Sequence, residues 1–243
     1  MSNPTAAILI IGDEILSGRT RDANMHYLAG ELTRIGIDLC EARFIADRHA
    51  DIGAAIRALN GAYDHLFTSG GIGPTHDDIT ADAVAEALGV RLGVRADARA
   101  LLQAHYDRSG LELNEARLRM ARIPDGARLI DNPISAAPGF SLGNVHVMAG
   151  VPNIFQAMVA GLLPQLTGGS PLLSQTLRVM QGEGVIAAPL AALAAEFSDL
   201  SFGSYPFILN GAYGTNLVVR GQAAARLDQA MVRMVDLFGG VRG

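Results

Sequence analysis

Apolar residues in this chain come in two arrangements, short continuous runs and positions three or four apart, and the two alternate along its first half. A continuous aliphatic run bounded by polar residues predicts a strand of a parallel sheet buried on both faces, whereas the 3.6-residue spacing predicts a helix that covers it. Residues 6–11, 37–45 and 65–69 are the predicted strands. Met25, Leu28, Ala29 and Leu32 place a helix over 22–35, ended by Gly36, and Ile52, Ala55, Ile56 and Leu59 place another over 50–59. An amphipathic run over 81–88 is the third helix. An apolar run at 90–94, helical stretches at 97–108 and 114–120, and a turn at Pro124-Asp125-Gly126 come next. A hairpin around Gly143-Asn144 and a helix from Pro152 to about residue 163 complete this part. Strands alternating with helices put the fold in the α/β class.

Thr167-Gly168-Gly169-Ser170-Pro171 has the composition of a linker, and the periodicity starts afresh beyond it. The predicted domains are therefore 1–168 and 172–243. The second is a small α+β domain with a strand at 174–180, a helix at 189–197, paired strands at 202–209 and 215–220 around Asn210-Gly211, and a helix at 222–238.

The third strand runs into Thr68-Ser69-Gly70-Gly71-Ile72-Gly73-Pro74-Thr75-His76-Asp77-Asp78-Ile79-Thr80, read as strand, glycine loop and helix N-terminus. Gly70, Gly71 and Gly73 keep side chains away from the main chain, and the following helix presents unpaired N–H groups and a positive dipole end, which together attract phosphate. Asp77 and Asp78 run against a bare anion site. A carboxylate about 4 Å from a phosphate repels it by roughly 4 kcal/mol at an effective dielectric of 20, and the helix end returns only about 0.3–1 kcal/mol. A divalent cation offsets that repulsion, and Mg²⁺ is commonly held by one or two carboxylates plus substrate phosphates. A metal-phosphate corner with Asp77 and Asp78 as ligands is thus one reading. Thr75-x-x-Asp78 also fits a capping box, and a tight turn after a strand needs glycine for its dihedrals alone.

Composition narrows the classes. The chain has 243 residues, 49% of them hydrophobic, with net charge −5 and 19 basic residues, all arginine and scattered. That leaves no electrostatic footprint for nucleic acid and no lysine for a Walker loop or Schiff base. Mean hydropathy is +0.25, yet no run of about 18 apolar residues escapes a Pro or Gly, so neither a membrane partner nor a signal peptide is expected. Cys40 is the one cysteine; it suits a cytoplasmic protein and is expected to be a buried structural thiol. The six histidines show no i, i+4 pair and give no support to zinc. Arg117, Arg119 and Arg122 read as a solvated face. No charged residue lies between Asp131 and Arg178; an interface of a homo-oligomer is expected there, and a core segment is the alternative.

Ser69-Gly70-Gly71-Ile72-Gly73-Pro74-Thr75-x-Asp77-Asp78-Ile79-Thr80 closely resembles the signature of the molybdopterin-binding domain superfamily of molybdenum-cofactor biosynthesis, and its Pro-Thr-x-Asp-Asp variant resembles the competence/damage-inducible protein A (CinA) branch. Gly12-Asp13-Glu14-Ile15-Leu16-Ser17-Gly18, Asp22-x-Asn24, Asp47, Asn132-Pro133, Ala137-Pro138-Gly139-Phe140 and Gly150-Val151-Pro152 fall in the family's order. Gly203-Ser204-Tyr205-Pro206 and Tyr213-Gly214-Thr215-Asn216 resemble the domain that follows the first in that family.

The resemblance implies a three-layer αβα molybdopterin-binding-like fold with a mostly parallel sheet. It also implies a ligand, a nucleotide or pterin phosphate such as molybdopterin, contacted by Gly12, Asp13, Glu14, Asn24, Thr68, Ser69, Gly70, Gly71, Gly73, Pro74, Thr75, Thr80, Pro138 and Gly139. Asp78, Asp77 and Asp47 are the implied catalytic residues, Asp47 being equally placed to cap a helix. In the CinA branch this domain is implied to hydrolyse the pyrophosphate bond of ADP-ribose-like or dinucleotide compounds with Mg²⁺ or another divalent cation. Adenylyl transfer to molybdopterin and a binding module without turnover are the alternatives. Two departures stand out. The chain leaves no room for the family's C-terminal deamidase domain, so that activity is not expected, and Ile154 stands where relatives carry a Glu, which favours the binding module.

Overall fold

The aliphatic run near the start of the chain becomes the interior of a sheet. In the computed structural model, which describes residues 2–242, β1 (Thr5–Ile11) is followed by one helical turn, α1 (Asp13–Leu16), then α2 (Asn24–Arg34), β2 (Asp38–Ile45), α3 (His49–Asn60), β3 (His65–Ser69) and α4 (Thr80–Ala87). β4 (Leu92–Val94), α5 (Ala96–Ser109), α6 (Glu115–Leu118), a 3-10 turn (Arg119–Ala121), β5 (Arg122–Pro124), β6 (Arg128–Ile130), β7 (Gly139–Leu142), β8 (Val145–Met148) and α7 (Pro152–Leu162) follow. Six strands form one sheet in the order β2-β1-β3-β8-β7-β6. β2, β1, β3 and β8 run parallel and β7 and β6 antiparallel; β4 and β5 make a separate ribbon.

Alternation along β1 explains the layers. Ala6, Ile8 and Ile10 pack with Leu28, Leu32, Phe155 and Met158 of α2 and α7, while Ala7, Leu9 and Ile11 pack with Ile52, Ile56 and Val84 of α3 and α4. The sheet is buried on both faces, an αβα sandwich in which each fully buried aliphatic side chain contributes about 1.5–3 kcal/mol. The uncharged stretch after Asp131 supplies β7, β8 and α7, with Phe140, Val145, Val147, Met148, Phe155, Met158 and Val159 buried. Core membership accounts for much of its missing charge.

Three expectations need correction here. Cys40 is exposed, because β2 is an edge strand whose register against β1 shifts between Ala6 and Ala7, opposite Leu39 and Glu41, leaving Cys40 as the extra residue of a bulge. The arginine trio is not a solvated face: Arg117 lies 4.6 Å from the Tyr106 ring centroid, Arg122 pairs with Asp82 through both carboxylate oxygens, and Arg119 bonds main chain in the glycine loop. The predicted helix at 189–197 starts earlier, in the second compact unit.

The chain divides at 169/170. The second unit holds β9 (Leu173–Val179), α8 (Glu183–Glu196), β10 (Ser201–Leu209), β11 (Ala212–Gly221), α9 (Ala224–Phe238) and β12 (Val241–Arg242), with strand order β10-β11-β9-β12. Leu177, Val179, Leu217 and Val219 on one sheet face pack against Ile186, Leu193, Leu227, Met231 and Met234 of the helices. α8 carries Pro189 in its second turn; the carbonyl that loses a donor belongs to Val185, which is 70% exposed, so water can serve it. Asn210 (φ 51°) and Gly211 (φ 82°) are the two central residues of the β10–β11 turn, the left-handed pair that matches strand twist. Among the described residues no helix is long and apolar enough to cross a membrane.

Candidate functional site

Three parallel strands, β1, β3 and β8, end at the same edge and release Gly12–Glu14, Gly70–Gly73 and Ala149–Ile154, the edge where open α/β sheets bind ligands. The glycine loop is folded tightly against its neighbours. Gly70 (φ 112°) lies so close to β1 that a Cβ would come 2.2 Å from the Ile11 carbonyl oxygen, and a Cβ on Gly71 (φ 69°) would come 2.1 Å from Thr80 Oγ1. Thr80, fully buried, donates its amide to the Gly71 carbonyl at 3.0 Å and its hydroxyl to the Gly70 carbonyl at 3.0 Å. It staples the loop to the first residue of α4. The amides of Gly71, Ile72 and Gly73 have no hydrogen-bond partner among the described residues.

Thr75 and Asp78 do not form the capping box. Asp78 Oδ2 accepts from the Thr75 amide at 2.8 Å and the Thr75 hydroxyl at 2.5 Å, but α4 begins only at Thr80, with Ile79 as an N-cap that makes no side-chain bond. The pair closes a turn ahead of the helix, and Arg119 Nη2 holds the Asp78 carbonyl at 3.3 Å from the other side. Asp77 is open to solvent, its side chain 60% exposed and 3.9 Å from the more exposed His76.

Asp47 does not cap α3, whose N-cap is Arg48. Its Oδ2 instead accepts the Asp13 amide at 2.9 Å. Burial first, and then the negative charges of Asp13, Glu14 and Asp77, hold its carboxyl above the ordinary carboxylate range against that hydrogen bond. Carboxylates thus crowd one side of a cavity of about 380 Å³ lined by Gly12, Glu14, Asp47, Gly70, Gly71, Gly73, Pro74, Asp77 and Asp78. The opposite wall is uncharged: Met120, Asn132, Ser135, Ala137, Ala149, Gly150, Val151 and Ile154. Met120 and Ser135 carried no signal in the sequence. Ser135 is brought in by Asn132, whose Oδ1 accepts the Ile134 and Ser135 amides and whose Nδ2 donates to Ser135 Oγ and the Ala137 carbonyl.

The remaining expected contacts are mostly supports. Asn24, buried in the first turn of α2, donates to Ser69 Oγ at 2.8 Å and the Gly150 carbonyl at 2.7 Å, tying β3 to the uncharged wall. Asp22, just ahead of that helix, accepts from the Asn24 and Met25 amides and so serves two of its first unpaired donors. Thr68 is fully buried within β3 and does not reach the cavity. Pro138 and Gly139 are buried as well and absent from its lining, since β7 packs against β8 so closely that a Cβ on Gly139 would come 2.3 Å from the Val147 carbonyl oxygen. Asp13 contributes through its amide and its charge. Among the described residues no three His, Cys, Asp or Glu side chains converge as a ready-made metal cage.

Residues 7–168 match the family described as probable molybdopterin binding domain, two thirds of the chain. The chain belongs to the molybdopterin-binding domain family. Within it, the CinA-like branch is supported. The crystal structure of the CinA protein of unknown function from Thermoplasma acidophilum is 32% identical with a TM-score of 0.62, covering 67% of this chain and 97% of that one. A CinA-like protein from Desulfosudis oleivorans is 32% identical over 209 residues, 82% of this chain and 51% of that protein. Residues 171–240 of this molybdopterin-binding-domain protein match a second family, the FAD synthase middle domain. A probable FAD synthase from Caenorhabditis elegans is 31% identical over 260 residues and covers 97% of the chain, while the chain spans about half of that relative's length (50%).

Proposed function

We propose that this molybdopterin-binding-domain protein binds a dinucleotide-type diphosphate of the ADP-ribose or FAD class across the glycine loop and hydrolyses its pyrophosphate bond with a divalent cation. The observation that carries this reading is the row of unpartnered amides at Gly71, Ile72 and Gly73 beside a cluster of carboxylates. Successive amides facing one concavity form a nest for a phosphoryl oxygen. The names of the relatives, probable FAD synthase among them, agree with a ligand containing an adenylate diphosphate.

The donor set fits a hard cation. Burial, with the charges of Asp13, Glu14 and Asp77 adding to it, raises the Asp47 pKa, and one or two carboxylates with substrate oxygens are what Mg²⁺ takes when no protein cage exists. Asp77 and Asp78, the latter through the oxygen that Thr75 leaves free, are the proposed ligands, with Glu14 and Asp47 on the same side of the cavity. When bound, the cation neutralises the diphosphate and polarises the phosphoryl group. The chain's own part is positional: the loop amides orient one phosphoryl oxygen, Thr80 and Asn24 hold the loop and wall in place, and the uncharged wall receives a flat ring. In the reaction the oxygen of water bonds to the adenylate phosphorus and loses its proton to solvent, the bridging P–O bond breaks with its electron pair on the departing phosphate oxygen, and AMP leaves together with the other phosphate monoester, a ribose phosphate from ADP-ribose or FMN from FAD.

Ile154 on that wall favours a second reading, a pterin or nucleotide carrier without turnover. One experiment separates the two. Incubation with ADP-ribose or FAD, with and without Mg²⁺ or Mn²⁺, is followed by chromatography for AMP. AMP that needs metal and disappears in Asp47→Asn and Asp78→Ala supports hydrolysis. Bound but unchanged ligand under every condition overturns it in favour of the carrier.

A further inference from the structure

The second unit carries a face that the glycine loop does not use. Its helices cover one side of the sheet, and cross-strand register puts Ser174, Thr176 and Arg178 of β9, Asn216, Val218 and Arg220 of β11, and Gly203, Tyr205 and Phe207 of β10 together on the other. Both aromatic rings lean over a glycine. A Cβ on Gly203 would come 3.1 Å from the Tyr205 ring, and one on Gly214 would come 2.3 Å from the Phe207 ring. Arg178 stacks on Phe207 with its guanidinium 4.2 Å from the ring centroid, and Arg220 Nη2 donates to the Tyr205 hydroxyl at 3.0 Å. Tyr205 remains 46% exposed.

Charge separates the two sides of this sheet. Arg226 and Arg233, on α9, are held by Asp199 at 2.7 Å and Glu196 at 3.2 Å. No carboxylate side chain shares the open face, and neither Arg178 nor Arg220 has an ion-pair partner among the described residues. Asn216 lies between Arg178 and Tyr205 in one cross-strand row, its side-chain amide without a hydrogen-bond partner among the described residues. An exposed aromatic ring is a stacking platform for any base, and a guanidinium without an ion-pair partner beside it is a phosphate receptor.

We propose that this open face is a second ligand site, which binds a nucleoside phosphate with its base stacked on Tyr205 and its phosphate held by Arg220. It is built wholly from the second unit and stands apart from the pyrophosphatase reading. Equilibrium dialysis of the intact chain with radiolabelled AMP counts the sites. Tyr205→Ala and Arg220→Glu are expected each to weaken one class of site at least tenfold and to leave loop binding unchanged, whereas Gly71→Ala does the reverse. Both side chains are exposed, so far-UV circular dichroism should match the parent. AMP binding that neither variant alters overturns the proposal, even if the glycine loop still binds. An oligouridylate that binds this face more than tenfold tighter than AMP also overturns it, by assigning the face to single-stranded nucleic acid.

Discussion

Acid should destabilise the first unit through a single buried ring, His146. It sits on β8 inside the sheet, 2% exposed. Its Nδ1 lies 2.9 Å from Ser141 Oγ and its Nε2 3.3 Å from His65 Nδ1, with the Phe67 ring centroid 5.0 Å away. Burial first, then the positive charges of His65 and Arg128, lower its pKa from the ordinary 6.5 to about 3. The folded state therefore refuses a proton that the unfolded chain accepts. Stability from this group is fully present above pH 6.5 and is lost as pH falls toward about 3. At about 1.4 kcal/mol per pKa unit, going from pH 7 to pH 5 costs about 2 kcal/mol. Urea denaturation followed by far-UV circular dichroism at the two pH values, for the parent and His146→Gln, reads this directly, because residues 170–243 are common to both. The variant should lose about 2 kcal/mol less than the parent on acidification. Equal losses in the two proteins would refute the reasoning.

Gly71→Ala asks a side chain to adopt φ 69° and displaces the Thr80 hydroxyl; a loss of about 2–3 kcal/mol is expected from left-handed strain plus one broken hydrogen bond, measured by urea denaturation, together with loss of AMP from the loop. Asp47→Asn keeps an acceptor for the Asp13 amide and removes a charge that the fold disfavours. Since a raised carboxyl pKa costs stability as pH climbs through it, the variant should melt higher than the parent at pH 7 and equally below the ordinary carboxylate range, while AMP release falls. Asn24→Ala leaves the Gly150 carbonyl and Ser69 Oγ without their donor, an expected cost of about 2–3 kcal/mol in urea denaturation, accompanied by weaker nucleotide binding as the uncharged wall loosens.

The sequence alone determined the type of the main strands and helices of the first unit, though not α1, β5 or β6, since the AAILII run of β1 suits only a strand with helices on both sides, and it marked the loop at Gly70, Gly71 and Gly73 where those helices and strands meet. Local spacing is enough for such features because the chain must bury an apolar face whatever its partners are. It was not enough where two distant segments compete for one group. Thr75-x-x-Asp78 has the spacing of a cap, yet the helix starts later because Thr80, held by the Gly70 and Gly71 carbonyls, sets its first turn. Asp47 reads as a cap until the Asp13 amide, 34 residues away, draws it into the cavity. Cys40 looks buried within an apolar run until the edge position and bulge of β2 expose it. Met120 and Ser135 join the site only because the sheet folds their segments over the same strand ends. On the second unit, the two glycines beneath Tyr205 and Phe207 lie on different strands, Gly203 on β10 and Gly214 on β11. Alternation along β10 puts both rings on one face, but only cross-strand register, a property of the folded sheet, sets those glycines, Arg178 and Arg220 beside them.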